Sequence, residues 1–140
     1  MKILYTAEAL ATGDGRNGHS RTNDGKVDVD LATPKEMGGS GQGTNPEQLF
    51  AAGYAACFHS ALRLVAKQAN ADIQDSAVGA RVSLGTNDAG GFGLAVTLEV
   101  SLPHLGTDEA QALADKAHQV CPYSNATRGN IEVAVVVTED

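Results

Sequence analysis

The most regular stretch of the chain runs from Phe92 to Leu102. Phe92, Leu94, Val96, Leu98, Val100 and Leu102 face one way, and Gly93, Ala95, Thr97, Glu99 and Ser101 the other. A period of two kept over this length predicts an antiparallel strand with one side on a core. Shorter alternations predict further strands at Ile3 to Ala11, at Val27, Val29 and Leu31, at Val78 to Leu84, and at Ile131 to Val137. The breaks between them are turn chemistry: Gly13-Asp14-Gly15-Arg16-Asn17-Gly18, Asn23-Asp24-Gly25 and Asn87-Asp88-Ala89-Gly90-Gly91.

Two segments follow a helical pattern instead. Thr44-Asn45-Pro46-Glu47-Gln48 reads as a helix start, with Asn45 to cap, Pro46 at the first helical position and Gln48 three residues after the cap. The helix is expected to run from about 46 to 69. Between Leu49 and Phe58 it is apolar nearly all round, which predicts a buried, central helix rather than a surface-lying one. Gly53 weakens it locally by about 1 kcal/mol relative to Ala, a cost that usually has a packing reason. A second helix begins near Thr107-Asp108-Glu109, whose acids suit the positive end of the dipole. It stops by Cys121, because Pro122 disfavours helical geometry at the residue before it. Strands segregated from two main helices make an α+β domain with antiparallel sheets.

At 140 residues the length suits a single domain over 1–140. A hydrophobic share of 42% supports a packed core, filled mainly by aliphatic residues because Trp is absent. A net charge of −7 argues against nucleic-acid or anionic-membrane surfaces, which need clustered Lys and Arg. No stretch is expected to reach the roughly 18 apolar residues of a membrane span, and the start Met1-Lys2-Ile3-Leu4-Tyr5 has no hydrophobic run of signal-peptide length. The expected compartment is the cytoplasm, where a disulfide is more often catalytic or sensing than structural.

Candidate chemistry rests on two cysteines. Cys57 lies within Gly53-Tyr54-Ala55-Ala56-Cys57-Phe58 and Cys121 within Val120-Cys121-Pro122-Tyr123-Ser124, too far apart for a CxxC redox loop. A thiol reacts as its thiolate, which needs a cation or a helix N-terminus nearby. Cys57 is in mid-helix, where burial raises its pKa, so a reactive Cys57 requires an imported cation. His59, at i+2, points elsewhere, and Arg63 and Lys67 look outward. Read from the residues alone, both cysteines could equally be small packing residues. A zinc site from Cys57, Cys121, His59 and His118 lacks ligand spacing. Gly38 to Gly43 has the spacing of a phosphate-binding loop, but Thr44-Asn45 stands where Lys-Ser/Thr would do the work.

Two long blocks narrow these alternatives. Gly43-Thr44-Asn45-Pro46-Glu47-Gln48-Leu49-Phe50-Ala51-Ala52-Gly53-Tyr54-Ala55-Ala56-Cys57-Phe58 resembles the signature of the organic hydroperoxide resistance proteins, a branch of the osmotically inducible protein C superfamily. His118 to Asn130 resembles the second block of that family, and Gly15-Arg16-Asn17-Gly18 its N-terminal turn. The resemblance covers nearly the whole chain.

It implies an OsmC-like fold assembled as an intertwined homodimer, and a thiol peroxidase reducing alkyl or lipid hydroperoxides. Cys57 would be the peroxidatic thiol, Cys121 the resolving thiol, Arg16 the missing cation and Glu47 the carboxylate that orients it. No bound cofactor or metal is implied; the reductant would be a dihydrolipoyl group on a lipoylated protein. Leu49, Phe50, Phe92 and Tyr123 would line an apolar substrate pocket, or equally pack the core. Glu47 and Cys57 are about 15 Å apart along a straight helix, so two such helices packed across a dyad could share sites, whereas a kink near Gly53 could close the gap within one chain. A different class of function remains open: a redox-sensing or ligand-binding domain switched by the same disulfide.

Overall fold

The computed structural model describes residues 1–138. Its elements, in chain order, are β1 (Ala9–Thr12), β2 (His19–Thr22), β3 (Asp28–Asp30), α1 (Pro46–Gln68), β4 (Ala77–Thr86), β5 (Phe92–Ser101), α2 (Thr107–Val120), α3 (Pro122–Thr127) and β6 (Glu132–Thr138). Two 3-10 turns, Gly15–Asn17 and Lys35–Met37, interrupt the first part. The residues group into two compact units, Met1–Leu49 and Phe50–Asp140, described in turn.

The first unit holds an antiparallel sheet of order β1-β2-β3. The strand expected from Ile3 to Ala11 is formed only at Ala9–Thr12; Ile3, Leu4 and Tyr5 are exposed. β2 was not foreseen, because His19-Ser20-Arg21-Thr22 has no apolar alternation. Its register comes from its neighbours and from side-chain pairing. His19 bonds Asp30 at 2.7 Å and Asp28 at 2.5 Å, and Arg21 approaches Asp28 at 3.6 Å. The glycine-rich loop folds back closely on itself: a Cβ on Gly39 would stand 2.1 Å from the Thr33 carbonyl oxygen.

Asn45 caps α1 as expected, accepting the Gln48 N–H at 2.9 Å. Gln48 does not complete a reciprocal box. Its side-chain oxygen instead accepts from the Thr44 hydroxyl at 2.7 Å. Asn70 ends the helix in the left-handed conformation, φ 54°, with the Ala71 N–H returning to the Ala66 carbonyl at 3.0 Å.

The second unit is built on a sheet of order β4-β5-β6. β5 confirms the alternation, since Val96, Leu98, Val100 and Leu102 are all buried. The expectation of purely antiparallel sheets needs correction: β4 pairs β5 antiparallel, but β5 pairs β6 parallel. The chain must cross over between β5 and β6, and α2 with α3 makes that crossover. The core joins Tyr54, Phe58, Leu62 and Ala66 of α1, Leu98 and Val100 of β5, Leu113, Ala114 and Ala117 of α2, and Cys121.

The expected burial of α1 is found along one side of the helix. Tyr54, Phe58, Ala61, Leu62, Val65 and Ala66 are buried, but Leu49, Ala52, Ala56 and Leu64 are exposed, because the sheet and α2 cover one side of a helix only. The expectation that no stretch reaches a membrane span also needs correction. By length and composition α1 is apolar enough to cross one, with a mean hydropathy of 1.4. Its buried face is packed as a core helix.

Candidate active site

α1 presents Phe50, Gly53, Tyr54 and Cys57 at i, i+3, i+4 and i+7, one stripe of the helix. The stripe receives the start of α3. Cys121, with φ −60° and ψ 124°, is the extended residue between α2 and α3, and Pro122 opens the new helix at its first position. The sequence reading stopped at this proline; it both ends one helix and begins another. Tyr123 then lies against the stripe, its ring centroid 6.0 Å from Phe50 and 5.7 Å from Tyr54, both edge-on. Such ring pairs contribute about 0.5–1.5 kcal/mol beyond burial. Gly53 has its packing reason here. A Cβ at that position would stand 3.2 Å from the Tyr123 hydroxyl.

This arrangement brings the two sulfurs 3.5 Å apart, both as free thiols. Cys121 is fully buried and Cys57 partly exposed. Burial, the largest influence, pushes the Cys57 thiol above its ordinary pKa. The Tyr123 backbone N–H pulls it down, and the hydrogen bond with Cys121 adds to the rise. The sulfur that resemblance makes the nucleophile therefore needs a positive charge to ionise near neutral pH.

In the first unit, the 3-10 turn Gly15–Asn17 carries Arg16, whose guanidinium grips Glu47 with both terminal nitrogens, at 2.7 and 3.3 Å. The arrangement is the two-pronged one favoured between guanidinium and carboxylate. Glu47 is 15% exposed and Arg16 38%, so the carboxylate anchors while the guanidinium reaches outward. Asn17 helps to shape the turn by accepting the Thr33 N–H at 3.0 Å.

The expected substrate residues separate. Tyr123 meets Cys57 through its backbone N–H, and Phe50 packs on the Tyr123 ring. Phe92 is 72% exposed and belongs neither to the core nor to the ring cluster. Leu49, in the first turn of α1, is exposed. Arg63 and Lys67 are exposed, as expected. His59 is bonded to Ser76 at 2.9 Å and His118 to Ser124 at 2.7 Å. The sequence reading missed Tyr54 and Ser124, whose hydroxyls meet at 2.8 Å. The available signal was weak: a Tyr within an apolar helix must find a polar partner when buried.

The family model for OsmC-like proteins matches residues 39–136, which include both cysteines. An organic hydroperoxide resistance protein of Xanthomonas axonopodis pv. citri is 51% identical over 138 residues, covering 97% of this chain and 96% of its own. This chain belongs to the OsmC-like family. It falls in the organic hydroperoxide resistance branch, as two crystal structures also show. The protein of that description from Legionella pneumophila superposes with a TM-score of 0.93 at 52% identity, covering 98% of this chain and 99% of its own. The one from Elizabethkingia anophelis does so with 0.94 at 52%, covering 100% of both.

Proposed function

We propose that this OsmC-like protein is a peroxidase that confers organic hydroperoxide resistance by thiol chemistry. The observation that carries the reading is the 3.5 Å separation of two reduced sulfurs, one partly exposed and one buried. Arg16, oriented by Glu47, supplies the charge that offsets the cost of ionising Cys57. The Cys57 thiolate attacks the terminal oxygen of R–O–O–H; the O–O bond breaks, the alkoxide takes a proton and leaves as alcohol, and Cys57 becomes a sulfenic acid. Cys121 condenses with it, releasing water and forming the Cys57–Cys121 disulfide. A dihydrolipoyl group, carried by a lipoylated protein or free as dihydrolipoamide, returns both thiols by exchange. Phe50 and Tyr123 present apolar surface beside Cys57, which favours alkyl or lipid chains over hydrogen peroxide. The enzyme works in the cytoplasm, where such reductants keep thiols reduced.

The working assembly in this reading is a homodimer. The uncovered side of α1, with Ala52, Ala56 and Leu64, and the exposed Ile3, Leu4 and Tyr5 offer apolar surface for a second copy. Mixing Cys57→Ser chains with Glu47→Ala chains tests whether sites are shared between copies; activity regained by heterodimers supports sharing, and its absence in assembled heterodimers rejects it.

Steady-state kinetics tests the whole reading. Alkyl hydroperoxide should be consumed catalytically with dihydrolipoamide and much more slowly with thioredoxin or glutathione, and hydrogen peroxide should be the poorer substrate. A reaction that stops after one equivalent with every donor would instead indicate a sensor.

A further inference from the structure

Two sulfurs at 3.5 Å must close to about 2.05 Å to bond, so the reaction depends on how the Cys121 turn is held against α1. That turn is bracketed by His118 and Ser124. The Cys121 backbone is tied on both sides, its N–H to the Ala117 carbonyl at 2.9 Å and its carbonyl to the Asn125 N–H at 3.0 Å. The flanking side chains do the cross-bracing. His118 Nδ1 meets Ser124 Oγ at 2.7 Å, and Ser124 Oγ meets the Tyr54 hydroxyl at 2.8 Å. Tyr54 stands one turn before Cys57 on α1. Thr127 closes the cluster, 3.2 Å from the same tyrosine hydroxyl. The three side chains thus run from the end of α2, through α3, to α1. Tyr54 and Ser124 are fully buried, where a hydroxyl left without a partner costs about 1–3 kcal/mol.

We infer that Tyr54, Ser124 and His118 are positioning residues for the resolving step, holding the Cys121 sulfur within reach of Cys57 so that the sulfenic acid is captured before a second hydroperoxide oxidises it. The inference rests on the peroxidase reading above. In the step concerned, Cys57–S–OH and HS–Cys121 become a disulfide and one water; the hydroperoxide has already supplied the oxidation. His118 fits its part as a neutral acceptor. Burial lowers its pKa, Arg128 lowers it further, and Asp115 opposes them weakly. With the imidazole proton on Nε2, Ser124 donates to Nδ1 and is left free to accept from Tyr54. Arg128 also grips the His118 carbonyl, fixing the end of α2.

The test uses the full-length reduced protein and one equivalent of an alkyl hydroperoxide. Disulfide formation is followed by quenched mass spectrometry in competition with a sulfenic-acid trap. Ser124→Ala and Tyr54→Phe, which each remove only an oxygen, should slow resolution relative to Cys57 oxidation by about tenfold or more, with sulfinic acid accumulating on Cys57 under excess hydroperoxide. The midpoint potential of the thiol pair should become less negative by about 30 mV for each tenfold loss of effective concentration. His118→Asn, whose amide oxygen can accept from Ser124, should retain most of the wild-type resolution rate, while His118→Ala should behave like Ser124→Ala. Wild-type resolution and potential in Ser124→Ala and Tyr54→Phe would overturn the inference and leave the peroxidase reading standing. A wild-type protein that forms no Cys57–Cys121 disulfide would overturn both.

Discussion

The two units of the chain are stabilised by different physics. Among residues 1–49 only Ala32 and Asn45 are buried, and the β1-β2-β3 sheet is laced by side-chain contacts: His19 with Asp28 and Asp30, Arg21 with Asp28, Thr22 with Asp24 at 2.7 Å. From Phe50 onward a continuous apolar cluster takes over, and its polar groups are few, buried and mutually satisfied. The chemistry divides the same way. The polar unit carries a partly exposed guanidinium; the apolar one carries the Cys57 thiol, whose pKa burial raises.

The strongest test of that division is Cys57→Ser, which should reduce peroxidase turnover to background, whereas Cys121→Ser should stop after one equivalent at the Cys57 sulfenic acid, which a second equivalent of hydroperoxide takes to sulfinic acid. Next, Phe58→Ala should cost about 3–5 kcal/mol in denaturant unfolding, as for a fully buried ring, while Leu10→Ala, at an exposed site of the first sheet, should change stability by about 0.5 kcal/mol or less. A large loss at Leu10 would show that something covers that sheet in solution. Arg16→Ala sharpens the contrast. It should cost less than about 1 kcal/mol of stability, as a partly exposed ion pair, yet raise the Cys57 pKa and slow the reaction near neutrality, read from thiol alkylation against pH.

The smallest effects concern two histidines of opposite sign. His19 is raised above 6.5 by its hydrogen bonds to Asp30 and Asp28, so its contribution is full below 6.5 and is lost as pH rises through the raised value. His118 is lowered below 6.5 by burial and by Arg128, so its contribution is full above 6.5 and is lost as pH falls toward the lowered value. Melting temperature against pH should flatten on the alkaline side in His19→Gln and on the acid side in His118→Asn.

Much of α1 and of the second unit was legible in the sequence because the signals there are local or periodic. Asn45 and Pro46 marked the start of α1, the alternation marked β5, and Pro122 marked the end of α2. The first unit was less legible. Ile3-Leu4-Tyr5 looks like strand but has no strand partner among the described residues, while His19-Ser20-Arg21-Thr22 looks like nothing and becomes a central strand through pairing that sequence spacing does not encode. The parallel partnership of β6 was likewise hidden, since a crossover is a property of topology. As for the site, composition and spacing placed a thiol in mid-helix that needed a cation, but left inert packing equally open. Resemblance alone named Arg16 and Glu47 and gave Cys121 its resolving role; Tyr54 and Ser124 came from the coordinates, because a hydroxyl pair 70 positions apart leaves no pattern in the chain.

The sulfurs also lie 64 positions apart in sequence. A covalent link there would gather the remainder of α1, all of β4 and β5 and the whole of α2 into one closed ring, and by chain-entropy reasoning would penalise the unfolded form by about 4 kcal/mol. Oxidised and reduced protein should then melt at clearly different temperatures, so that a dye-based thermal scan reports the redox state of the chain without any chromogenic substrate.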